Sequence, residues 1–317
     1  MKAVIVKNPG DINSATVEDV DIGMVQGILV KVKYAGLNPI DINTIAKKTN
    51  YAISPIPHIP GAEFVGEVKY SGKFSKFKEG DRVIVYPRIY DGICDKCKNG
   101  EEHLCINGKL IGVGTNGGWA EYFEAKEENL VKIPDSMDDL DAVALPIGGL
   151  TPYHALLKAG LKRGNRILIF GASGNTGIFA TQIAKSMGAE VFAISRKRWV
   201  FENRIKEWNG EKVEMVLNSL GSKFWDKSIE SLNAGGKLVT FGTFTGAELS
   251  FNIAKLYTRE LSVIGTTGGT KKELEALIEF VQKHNIKSKV WKTYKLEDFK
   301  KAIDEYSEKE GRIVLQF

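Results

Sequence analysis

Residues 165–177 read Asn-Arg-Ile-Leu-Ile-Phe-Gly-Ala-Ser-Gly-Asn-Thr-Gly. A short apolar run, the pattern of a buried strand, ends in a glycine-punctuated turn, and a helix is expected over 178–187. This is the layout of a dinucleotide-binding crevice. Gly171 lets the chain leave the strand sharply, Gly174 lets backbone approach a pyrophosphate, and Gly177 lets the helix sit close to the sheet. Ser173, Asn175 and Thr176 complete the loop, where free N–H groups at the helix start suit an anion. Three glycines also occur at ordinary strand-to-helix turns, but here they lie between the strand and helix the motif requires, with a second apolar run at 190–194.

In such folds an acidic residue about 20 positions after the glycines accepts the ribose hydroxyls and would repel a 2′-phosphate. This chain instead reads Ser195-Arg196-Lys197-Arg198. A hydroxyl and the guanidinium forks of Arg196 and Arg198 suit a phosphate, so NADP is expected rather than NAD. The bland alternative is a set of solvated charges opening a helix.

The chain has 317 residues, room for two domains each with its own core. Its net charge of +5 comes from 44 basic and 39 acidic residues scattered without a basic block, which argues against a nucleic-acid partner and fits an anionic cofactor. The start, Met-Lys-Ala-Val-Ile-Val, reads as a strand rather than a signal peptide, and no apolar run reaches the ~18 residues of a membrane span. A cytoplasmic protein without a membrane partner is expected. Three cysteines are an odd number and poor material for a disulfide framework.

Up to about residue 131 the pattern is of short β segments, including 27–34, 62–70 and 81–86, with no long amphipathic helix between them. After about residue 138 helices and strands alternate, with a helix at 151–159 and strands at 215–217 and 237–242, which implies a parallel, helix-covered sheet. A helix at 271–284 and a strand at 312–317 end the chain. Between Ser195 and Asn218 there is room for little more than one helix, so this half of the sheet is expected to be abbreviated, or the sequence to lack a stretch.

Several segments then converge on one family. Gly36-Leu37-Asn38-Pro39-Ile40-Asp41, Pro60-Gly61-Ala62-Glu63, Glu79-Gly80-Asp81-Arg82-Val83, Gly117-Gly118-Trp119-Ala120-Glu121-Tyr122, the 171–177 loop and Gly235-Gly236-Lys237-Leu238-Val239 occur in order. Over almost its whole length the chain resembles the medium-chain dehydrogenase/reductase superfamily, the zinc alcohol dehydrogenases and their quinone oxidoreductase relatives. The resemblance implies an α/β protein: a GroES-like β-rich catalytic domain from 1–122 and 267–317, and a Rossmann doubly wound parallel sheet domain from 123–266, with the active site in the cleft between them. It also implies a homo-oligomer, commonly a dimer or tetramer, acting on a small-molecule substrate.

In the alcohol dehydrogenases a Cys, a His and a later Cys or acid hold a catalytic zinc that polarises the substrate oxygen. The matching positions here are Asn38, Ala62 and Ile147; Glu63 remains, and His58 and His103 fall outside the motifs and are expected to be surface or locally bonded. The family's structural zinc lobe is matched by Asp91, Cys94, Cys97 and Cys105, in the spacing D-x2-C-x2-C-x7-C, which offers three thiolates and a carboxylate to one zinc. A Cys94/Cys97 redox pair, or a lobe that has lost its metal, are the alternatives.

Without a Lewis acid, hydride transfer is easiest to a conjugated acceptor, where charge spreads into an enolate or hydroquinone anion that hydrogen-bond donors can support. The zinc-free branches reduce quinones, enals, enones or enoyl thioesters, and Asn38 and Asp41 match the Asn-x-x-Asp segment of the quinone oxidoreductase-like branch. Asn38 is then expected as a polar substrate or nicotinamide contact, with Asp41 holding its loop. By motif position Asn218, Gly242, Thr243, Gly265 and Thr266 would border the cofactor at strand ends. The expected function is an NADPH-dependent reductase of such acceptors; a zinc-type alcohol dehydrogenase with displaced ligands and a non-catalytic NADP-binding protein are the rivals.

Overall fold

The computed structural model describes residues 1–317 except 49, 50 and 196, and the backbone alone at 202–204. Arg196, expected at the cofactor, lies outside the described residues. The chain divides into two compact units: 1–147 with 270–278 and 288–317, and 148–269 with 279–287. No helix is long and apolar enough to cross a membrane among the described residues.

The first unit is β-rich. A hairpin of β1 (Lys2–Val6) and β2 (Ala15–Asp19) precedes β3 (Ile28–Gly36), β4 (Phe64–Tyr70) and β5 (Arg82–Val85), an antiparallel run. β6 (Arg88–Ile89) and β7 (Lys109–Leu110) form a small pair, β8 (Tyr122–Ala125) lies on β3, and β9 (Leu130–Lys132) on β5. In β3, Ile28, Val30 and Val32 are buried while Lys31 is exposed, the period-2 alternation of a strand with one face on a core. Because β9 pairs with β5, this unit runs on to Ile147 rather than ending at residue 122.

The second unit is one parallel sheet of β10 (Arg166–Phe170), β11 (Glu190–Ile194), β12 (Lys206–Glu207), β13 (Val213–Asn218), β14 (Leu232–Thr240) and β15 (Ser262–Gly265). Its order is β12-β11-β10-β13-β14-β15. Ile167, Leu168, Ile169 and Phe170 are all buried, as a central parallel strand requires. The chain turns one way from β10 to β11 and lies the other way at β13, so the switch point falls beside the 171–177 loop, where ligands collect in open α/β sheets. The short stretch after Ser195 holds one 3-10 segment at Arg198–Arg204, a two-residue β12, and a five-residue link, 208–212, into β13. Trp208, in that link, packs on the sheet's apolar cluster.

The chain then returns to the first unit through the helix Lys271–His284, and β16 (Val290–Lys295) and β17 (Arg312–Gln316) complete a seven-stranded sheet in which β17 pairs with β3.

Candidate active site and metal lobe

In the first unit Asn38 precedes a seven-residue helix, Pro39–Ile45, which sequence periodicity does not reveal. Asp41, three residues on, accepts the Asn38 backbone N–H on Oδ2 at 2.9 Å and the Ala62 N–H on Oδ1 at 2.9 Å. One carboxylate thus caps the helix and ties it to the turn carrying Glu63. Gly61 in that turn has φ +105°, and a Cβ there would come within 2.3 Å of the Trp119 ring, so only glycine fits.

Glu63 is the hub. Its Oε2 accepts from the Asn38 side-chain Nδ2 at 2.7 Å and from Arg312 Nη2, and its Oε1 accepts the Ile147 N–H at 3.1 Å. Ile147 sits in a π-helical turn, Leu145–Gly149, which aims this N–H at the carboxylate. Gly36 leaves the room: a Cβ there would stand 2.3 Å from Glu63 Oε2. Asn38, Asp41, Glu63 and Arg312 are all essentially sealed from solvent. Sequence reading placed Asn38, Asp41, Glu63 and Ile147 together but missed Arg312; a charged residue heading an otherwise apolar terminal strand was the available signal.

Burial pushes the Asp41 carboxyl up to about 7 despite its backbone donors, and the Glu63 charge adds to the rise. Burial, then the Arg312 charge, pushes the Lys309 ammonium down to about 7. Lys309 Nζ lies 3.9 Å over the Tyr306 ring. His58 and His103 are buried rather than surface residues; His58 Nε2 is 2.9 Å from the Gly112 carbonyl oxygen.

In the lobe, the ligand atoms of Asp91, Cys94, Cys97 and Cys105 all lie within 4.8 Å of one another. Cys94 Sγ is 3.5 Å from Cys97 Sγ and 3.8 Å from Cys105 Sγ. Tetrahedral zinc with thiolates at ~2.3 Å needs sulfurs about 3.8 Å apart, so the donor set and spacing fit zinc. Asp91 Oδ1 accepts the Ile93 and Cys94 N–H groups and Oδ2 accepts from Asn107, which hold this carboxyl well below the usual range. Backbone N–H groups lower the Cys94 thiol, whereas burial and its sulfur neighbours push Cys97 up to about 12. Gathered thiolates repel one another until a cation neutralises them. Among the described residues no other cluster of His, Cys, Asp and Glu converges in this way.

In the second unit the 171–177 loop separates its three glycines by cause. Gly171 has φ +76°, and a Cβ on Gly177 would strike the Gly171 carbonyl oxygen at 2.0 Å, so the turn itself needs both. Gly174, at the head of the helix Asn175–Ser186, has the ordinary φ of −78°, and a Cβ there would meet only Gly171 O at 3.2 Å. The fold barely requires a glycine at 174. Thr266 Oγ1, just after β15, is buried without a hydrogen-bond partner among the described residues, at the end of the sheet beside the 171–177 loop. These features fit a dinucleotide. Gly265 is open on its Cβ side, whereas Gly242 must be glycine because a Cβ would lie 2.2 Å from Ser219 O; Thr243 beside it is exposed.

Ser173 and Thr176 are half-buried and Asn175 is buried in the first helical turn. Asn218 is buried, its Oδ1 accepting the Leu220 and Gly221 N–H groups and its Nδ2 reaching Gly221 O and Ser228 Oγ, so its side chain shapes the turn. Ser195 Oγ accepts the Lys197 N–H at 3.0 Å, and Arg198 is largely exposed with Glu207 Oε2 3.6 Å from Nη1.

Residues 25–135 match the family described as alcohol dehydrogenase GroES-like domain, and 184–283 match the zinc-binding dehydrogenase family. An NAD-dependent alcohol dehydrogenase of Sulfolobus acidocaldarius is 29% identical, covering 100% of this chain and 99% of its own. An acryloyl-coenzyme A reductase of Metallosphaera sedula is also 29% identical, covering 99% of each. The solved structure of a thermostable alcohol dehydrogenase from Pyrobaculum aerophilum is 33% identical with a TM-score of 0.92, covering 100% of this chain and 99% of that one. With its GroES-like and Rossmann folds, the chain belongs to the medium-chain dehydrogenase/reductase superfamily of oxidoreductases.

Proposed function

We propose that the chain is an NADPH-dependent reductase delivering hydride to a quinone or a conjugated enal, enone or enoyl thioester, with no metal at the reacting oxygen. The observation that carries this reading is the closed state of Glu63. Asn38, Ala62 and Ile147 stand at the ligand positions, and the one remaining carboxylate already receives an amide, a backbone N–H and a guanidinium. A cation there would have to displace a buried arginine. The similarity to an acryloyl-coenzyme A reductase supports a conjugated substrate.

The dinucleotide supplies the hydride when bound. The 171–177 loop would hold its pyrophosphate, Ser195 and Arg198 its 2′-phosphate, and Gly242, Thr243, Gly265 and Thr266 would border its nicotinamide side. Asn38, its amide oriented by Glu63, is the candidate polar contact to substrate, and Asp41 fixes the helix start that carries it. Hydride would add to the carbon β to a carbonyl, the electron pair would move to the oxygen, and water or the substrate would supply the proton to the enolate. The lobe would hold one structural zinc, closed to chemistry.

The second reading, alcohol oxidation at zinc with displaced ligands, is favoured by the equal similarity to an alcohol dehydrogenase. A panel of quinones, enones, enoyl-CoAs and simple alcohols, run with both coenzymes, separates them. NADPH oxidation with conjugated acceptors is expected, with about one zinc per chain. Arg198→Ala should raise the KM for NADPH about tenfold, roughly 1.4 kcal/mol, with little change for NADH. Alcohol oxidation with about two zinc ions per chain would overturn the reading.

The chain also pairs with a copy of itself. β15 is an edge strand of its sheet, and Phe244, Leu249, Ile253, Tyr257 and Val263 are exposed on the same unit. Val263→Asp should shift the mass in light scattering to that of a monomer; a wild-type monomer would remove the basis for this assignment.

A further inference from the structure

We infer that a metal ion in the 91–105 lobe clamps the start of the helix Lys271–His284 through Glu102, so that metal affinity and helix order are linked. The inference rests on the structural-zinc reading above. Glu102 lies in a 3-10 turn, Glu102–Leu104, between the ligands Cys97 and Cys105. Its Oε1 accepts the backbone N–H of Lys271 at 2.6 Å. That N–H is the first of the helix and has no partner within it.

The neighbouring donors are supplied locally. Thr270 and Glu273 form a reciprocal capping box, Glu273 N donating to Thr270 Oγ1 at 3.1 Å and Thr270 N to Glu273 Oε2 at 2.8 Å. The helix therefore carries its own cap for these two groups and borrows a carboxylate for the third. A negative charge at that end also opposes the positive pole of the helix. Tyr86 contacts the same carboxylate, and Lys271 Nζ donates to Glu128 O at 2.7 Å, so the junction is built from both sides.

Metal thiolate bonds close the 98–104 loop between two fixed sulfurs. Without them, the loop keeps its own turns, such as Leu104 N to Glu101 O, and the Tyr86 contact to Glu102, so the carboxylate is held at the helix less firmly. Linkage makes the effect reciprocal: whatever factor the metal gives to the helix start, the helix start gives to the metal.

The experiment compares zinc-loaded chain with reduced chain stripped by a chelator, reading hydrogen exchange of the amides at 271–275 and zinc affinity by chelator competition. In the wild type, stripping should speed exchange at these amides about tenfold. Glu102→Gln and Lys271→Pro should each weaken zinc severalfold and leave helix exchange insensitive to zinc. Proline is tolerated at a first helical position and removes the N–H in question together with the Nζ contact to Glu128 O, which Lys271→Ala removes alone, so the Pro and Ala variants together keep the test valid if Glu102→Gln disturbs the lobe. Zinc bound stoichiometrically with unchanged exchange, or unchanged zinc affinity in both variants, overturns the clamp alone. A chain that takes up no zinc overturns the metal reading and the clamp with it.

Discussion

Gly174→Ala should lower NADPH affinity about 30-fold while moving the melting temperature by less than about 2 °C. The two effects separate because the three glycines of the loop are glycines for different reasons. Gly171 needs its left-handed φ of +76°, and Gly177 is pressed against the Gly171 carbonyl oxygen, so substitution at either strains the chain itself. Gly174 adopts a φ open to any residue, and its added methyl group would meet one backbone oxygen at 3.2 Å, relieved by a shift of a few tenths of an ångström. A pyrophosphate seated on the N–H groups at the head of Asn175–Ser186 needs that space. A 30-fold loss corresponds to about 2 kcal/mol, the scale of charge-assisted hydrogen bonds held too far from their acceptor. Titration of NADPH fluorescence reads the affinity and thermal unfolding reads the fold. Unchanged affinity with unchanged stability would place the dinucleotide elsewhere; Gly177→Ala, in contrast, should lower both.

The same loop shows why part of this molecule was legible before its structure. A buried parallel strand, a turn with fixed glycine offsets and a helix are local patterns, so 165–187 and the helix at 271–284 could be read from order alone. The convergence of Asp91, Cys94, Cys97 and Cys105 was legible because four donor side chains stand at close, fixed offsets within one short loop. Arg312 was not, since it meets Glu63 across 249 positions of sequence and no local pattern announces such a pairing. Nor was the helix Pro39–Ile45, too short to show a period and held by tertiary bonds through Asp41. The abbreviated stretch after Ser195 was visible as a shortage of residues; that Trp208 covers the sheet there depends on packing.

Glu63→Gln should cost about 3–5 kcal/mol of stability, lowering the melting transition of the first unit by roughly 10 °C. The carboxylate and Arg312 are both at zero exposure, and Arg312 Nε and Nη1 have no hydrogen-bond partner among the described residues. Removing the anion leaves a guanidinium in the interior without its counter-charge. The glutamine amide also turns a donor toward the Ile147 N–H or toward Arg312, where only an acceptor fits. Replacing both partners, as in Glu63→Gln with Arg312→Met, removes the orphaned charge, so the double variant should be more stable than Glu63→Gln alone. A double variant as unstable as the sum of the singles would mean that the two side chains do not act as a pair. The pH dependence supplies a second readout. The Asp41 carboxyl, raised from 3.8 to about 7, keeps its proton in the folded chain where the unfolded chain has lost it. The folded state therefore binds more protons between these values, and stability falls as pH rises from about 4 to 7. Part of that rise in Asp41 comes from the charge on Glu63, so the slope should flatten in Glu63→Gln, an effect that lost packing alone would not produce.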